Sequence, residues 1–61
     1  MTTQAKESIL KYAENERKHC MKLREEIEEF DIPEDAKNII RTNNEIKLGI
    51  SLEIIKELEN D

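Results

Sequence analysis

The chain has 61 residues, 41% charged and 36% hydrophobic, with a net charge of −5 and a pI near 4.9. A single domain of this size buries only about 60% of its unfolded surface, so extra core from self-association or a partner is expected. One cysteine, Cys20, excludes an internal disulfide, and one histidine, His19, disfavours a many-ligand metal site.

The acidic balance argues against sequence-independent nucleic-acid binding, which needs an excess of Lys and Arg to neutralise phosphates. No apolar run approaches the roughly 20 residues of a membrane span. The polar start, Met1-Thr2-Thr3-Gln4-Ala5-Lys6-Glu7, shows no signal-peptide pattern, so a cytoplasmic location with a reduced Cys20 is the expectation. Abundant Ile, Lys, Asn and Glu fit an AT-rich bacterial or phage genome. One glycine and one proline leave few places for loops, and the spacing of apolar residues is too regular for a disordered acidic tail.

The first predicted helix covers about 3–30, with Thr2 or Thr3 as its N-cap. Ile9, Ala13, Glu16, Cys20, Leu23, Ile27 and Phe30 follow at alternating four- and three-residue steps, which keeps them on one stripe. Tyr12 and Ala5 flank it. The turn is predicted at 31–32, where Asp31 and Glu34 have capping-box spacing and Pro33 suits a first helical turn.

The second predicted helix covers about 33–59 and carries Ala36, Ile39, Ile40, Asn43, Ile46, Ile50, Ile54 and Leu58 on one face. Gly49 raises the alternative of a break with Ser51 as a new N-cap. Continuity is preferred because the stripe passes Gly49 in phase. The expected fold is therefore all-α: one domain, an antiparallel two-helix hairpin, dimerising into a four-helix bundle.

Near-equal helix lengths predict that facing positions sum to about 63. That register sets Glu16 opposite Lys47 and Cys20 opposite Asn43, a polar layer on an otherwise apolar seam. Such a layer costs stability and fixes register. Leu48, Leu52 and Ile55 lie about 120° from the predicted stripe and, with Leu10, are expected to form an apolar ridge open to a partner or a second copy.

Charge also segregates. Glu25, Glu28, Glu29, Asp31, Glu34 and Asp35 form an acidic tip at the turn, preceded by a basic band of Arg17, Lys18, His19, Lys22 and Arg24. Most such runs are solvated faces laced with ion pairs; the sharper reading is a phosphate mimic that occludes a basic surface of a target. Glu28 and Glu29 oppose the dipole of the helix they end, which marks the tip as unusual.

No catalytic residues are expected. Glu16-x-x-His19 has the spacing of carboxylate-bridged metal bundles, but Glu45, the nearest second carboxylate, is expected to point outward. Adjacent Cys20 and His19 point about 100° apart on a helix and cannot pair as nucleophile and base. No cofactor motif is present, and no family resemblance is evident.

The functional expectation is a small non-enzymatic regulator or inhibitor that binds a protein, with a homodimer as its own state. The alternative is a structural homo-oligomerisation module with no separate target. Nucleic acid and membrane are not expected as partners.

Overall fold

A computed structural model describes residues 2–60. Among them the chain forms two α-helices, α1 (Thr3–Glu26) and α2 (Glu34–Glu59), with a 3₁₀ turn at Ile27–Glu29 between. The helices pack against each other as a hairpin, in a rod of 45 × 14 × 12 Å.

The helix boundaries follow from local chemistry. Thr2 starts α1: its Oγ1 accepts the Ala5 N–H at 3.2 Å, satisfying one of the unpaired donors of a helix start. No Gly or Pro interrupts the next 24 residues. The helix tightens at Ile27–Glu29, where Phe30 N–H reaches the Ile27 carbonyl at 3.2 Å, so α1 proper ends four residues short of the predicted 30. Pro33 disfavours helical backbone at Ile32, which forces an extended crossing.

Pro33 itself is the N-cap of α2, with φ −58° and ψ 148°, and its carbonyl accepts the Lys37 N–H at 3.1 Å. No side chain caps this end, so the Asp31–Glu34 capping box predicted from spacing does not form. The proline already fixes the entry angle, and Glu34 is drawn to Arg41 instead. Helix α2 runs through Gly49 without interruption.

The helix–helix seam is built from small side chains. Ala13 and Cys20 of α1 are fully buried, with Ile27 almost so. From α2 the buried residues are Asn44, Leu48, Ser51 and Ile55. The Asn44 side-chain amide donates to the Cys20 carbonyl at 2.8 Å, using the second lone pair of a mid-helix carbonyl. That bond pairs Cys20 with Asn44 and not with the predicted Asn43. The ion pairs Arg24–Glu45 and Glu28–Arg41 join positions that sum to 69, so the predicted sum of 63 does not hold along the hairpin. Ser51 donates to the Lys47 carbonyl of its own helix at 2.9 Å, so it is buried without an unpaired hydroxyl. The small Ala13 and Cys20 of α1 thus share the seam with the short Asn44 and Ser51 of α2, and Leu48 and Ile55 are buried with them.

This seam corrects the sequence reading of α2. Ile39, Ile46 and Ile50, expected to pack on α1, are exposed, while Leu48 and Ile55, expected on an outer ridge, are buried. Helix α2 is rotated about its axis by roughly one residue's turn of 100° from the expected orientation. Cys20 meets Asn44 and not Asn43, and Lys47 lies exposed with no ion pair to half-buried Glu16. The reason is steric. Ala13 and Cys20 are small, and the space they leave on α1 is filled from α2 by the short Asn44 and Ser51 together with Leu48 and Ile55.

Two substitutions test this account. Asn44→Ala should destabilise the hairpin by about 1–2 kcal/mol, through a lost buried hydrogen bond and a small void. Gly49→Ala should stabilise it by about 1 kcal/mol, because an added Cβ meets nothing within 4 Å. Both are read from urea unfolding followed by circular dichroism; a neutral Asn44→Ala would contradict the seam.

Candidate functional site

The two long flanks of the hairpin differ in chemistry. One is cross-braced by charge. Arg24 of α1 grips Glu45 of α2 with two hydrogen bonds of 2.7 Å, and Arg41 of α2 reaches Glu28 at 2.6 and 3.0 Å. Arg41 also bonds Glu34 at 2.8 Å and Asn38 at 2.7 Å. On α1 the order is Arg24 then Glu28; on α2 it is Arg41 then Glu45. Only an antiparallel pairing sets each Arg against a Glu at both sites, whereas a parallel one opposes like charges.

The acidic tip is therefore partly neutralised from within. Glu28 and Glu34 are held by Arg41, while Glu25, Glu29, Asp31 and Asp35 are exposed and in no ion pair among the described residues. Lys37 Nζ donates to the Glu28 carbonyl at 3.1 Å, bringing positive charge to the C-terminal end of α1. Lys37 and Arg41 answer the dipole conflict that Glu28 and Glu29 pose in the sequence.

The other flank is apolar and has no such bracing. The four most exposed large apolar side chains of the described residues lie on it: Ile39 at 72%, Tyr12 at 64%, Ile46 at 57% and Ile50 at 55%. Tyr12 and Ile50 border one shallow groove between the helices, together with Glu16, Lys47 and Ile54. His19, Leu23, Ile39, Ile40 and Asn43 border the next groove along. Ile39 and Ile46 share a third dip along the outer side of α2. The first two grooves share Lys47, and the second and third share Ile39 and Asn43, so they adjoin from Tyr12 to Ile46.

The residues predicted as a partner ridge are dispersed by the fold. Leu48 and Ile55 are only 5% and 8% exposed inside the hairpin. Leu10 is half-buried, and Leu52 alone stays exposed, so these four residues do not make a ridge free for a partner. The rotation that buries Leu48 and Ile55 is the one that turns Ile39, Ile46 and Ile50 outward.

Cys20 is enclosed in the seam, where burial pushes its thiol above the ordinary value and Glu16 adds to the effect. A protonated, enclosed thiol is a packing group. Among the described residues no group of three or more His, Cys, Asp and Glu side chains is arranged to hold a metal ion. No helix of the described residues is long and apolar enough to cross a membrane.

The ion-paired flank gives the hairpin an acid sensitivity. Hydrogen bonds from Arg24 hold the Glu45 carboxyl below its ordinary value, and those from Arg41 do the same for Glu34. Groups depressed in the folded state contribute stability that is full above the unfolded value of about 4.3 and lost as pH falls through the folded value. The thermal midpoint should therefore be level above about pH 5 and drop below about pH 4. In the Arg24→Gln, Arg41→Gln double variant the drop should be shallower, and an unchanged slope would show that these pairs contribute nothing.

Comparison of the chain with protein-family models, with curated proteins and with solved structures finds no match.

Proposed function

We propose that this chain is a non-enzymatic regulatory or inhibitory protein that acts by binding another protein chain through its apolar flank. The observation that carries this reading is the concentration of Tyr12, Ile39, Ile46 and Ile50 on the one flank without cross-helix ion pairs. Single apolar residues are common on protein surfaces, but a continuous strip of the four most exposed ones marks an association site. The centre of such a surface supplies binding through branched and aromatic side chains, with polar groups such as Lys47 and Asn43 setting orientation.

The acidic tip is the weaker contact surface. Arg41 occupies two of its six carboxylates, which lowers the charge that a phosphate mimic would present. A partner with an apolar groove fits this hairpin better than one with a basic surface.

Ile46→Glu tests the reading. It places a carboxylate in the middle of the strip and leaves the seam untouched, so the variant should keep its helical circular dichroism and lose association with any protein partner, its own copy included. Leu52→Asp, on the opposite flank, should leave association unchanged. Binding that survives Ile46→Glu and fails with Leu52→Asp would move the contact surface to the other flank.

A further inference from the structure

The apolar flank has a repeat that selects its occupant. Ile39, Asn43, Ile46 and Ile50 follow at steps of four, three and four residues, the seam of a helix that packs along another helix. We infer, resting on the binding reading above, that a second copy of this chain fills this flank. Helix α2 packs antiparallel on α2 of the second copy, about a two-fold axis passing between residues 44 and 45.

Area supports a partner. The hairpin exposes 4759 Å², against about 4,100 Å² for a compact monomer of its 7.2 kDa mass. The excess of roughly 650 Å² is spread over the whole rod and marks a hairpin with surface to spare for a partner. Its radius of gyration, 14.2 Å, likewise exceeds the roughly 10.5 Å of a compact chain of this length.

Register and charge then choose the geometry. About that axis Ile39 lies level with Ile50 of the second copy, and Asn43 level with its Ile46. Asp35 comes within two residues, about 3 Å along the helix, of the second copy's Lys56. Both are exposed and in no ion pair among the described residues, and both occupy the same position of the seven-residue repeat, bordering the stripe. The two-fold repeats the pair, so the interface gains two reciprocal ion pairs. Sliding by seven residues one way brings Glu53 and Glu57 onto the stripe against Asn43 and Ile39. Sliding the other way carries Ile50 level with Ile32, beyond the start of α2. The stated register sets the stripe's polar members Asn43 and Glu53 against Ile46 and Ala36 of the second copy, keeps both Ile39–Ile50 pairs, and is the one of the three that brings Asp35 beside Lys56.

The test is molar mass by sedimentation velocity on the full chain at low salt, across a concentration series. Wild type should approach twice 7.2 kDa. Asp35→Lys and Lys56→Asp should each weaken the dimer roughly tenfold by setting like charges together twice, and the double variant should restore it. Helical circular dichroism of each variant separates loss of the dimer from loss of α2. Rescue by the double variant supports the proposal. A dimer that Ile46→Glu dissociates but the charge reversals leave unchanged overturns the register and keeps the binding flank. A wild type monomeric at every concentration overturns the second copy as occupant. In that case the flank itself is judged separately, by whether Ile46→Glu abolishes capture of a different protein.

Discussion

The hairpin depends on how closely its helices can approach at Cys20. The Asn44 amide reaches the Cys20 carbonyl at 2.8 Å only because Cys20 and Ala13 present almost no bulk along the seam. A buried hydrogen bond of this kind is worth about 1 kcal/mol net, but an unpaired Asn in its place would cost more than that. The bond therefore discriminates among registers more than it stabilises one. Once Asn44 is fixed, Ser51, Leu48 and Ile55 turn inward with it, and the isoleucines at 39, 46 and 50 are left facing water.

The charged flank is a second consequence of the same rotation. Arg41 and Glu45 can reach Glu28 and Arg24 only when α2 turns them to the edge of the seam. Exposed ion pairs contribute modestly to stability. Their complementary order along the two helices nevertheless opposes a parallel or slipped arrangement. Polar matching thus sits on one flank and in one central layer, and the apolar surplus is confined to the other flank.

Much of the fold is legible in the sequence. Thr2 and Pro33 mark helix starts by their own chemistry, and the seven-residue spacing of Ala13, Cys20 and Ile27 identifies the packing side of α1. The phase of α2 is not legible from hydropathy alone, because isoleucine-rich and leucine-containing stripes lie side by side and hydrophobicity favours the wrong one. Two signals point to the correct phase. Asn44 and Ser51 are spaced seven apart, as Ala13 and Cys20 are, and the Arg–Glu order of 24 and 28 is complementary to that of 41 and 45. Small residues at matching seven-residue spacing, and charge order across helices, carry information that a hydrophobic count discards. The exposed apolar stripe differs from the expected one for the same reason, since Leu48 and Ile55 pack inside the hairpin and Ile39, Ile46 and Ile50 do not.

The proposed binding function is then a matter of surplus. A hairpin of this length has two apolar stripes on α2 and one neighbour to cover them, so one stripe must remain for something else. The account rests on which stripe that is. Nuclear Overhauser contacts from the side-chain amide protons of residue 44, measured with isotope filtering to keep contacts within one chain, test it most directly. The account predicts contacts from Asn44 to the α1 backbone around Cys20, and none within the chain from Ile46 to α1. Contacts to α1 from Asn43 and Ile46, with an exposed Asn44, would contradict it.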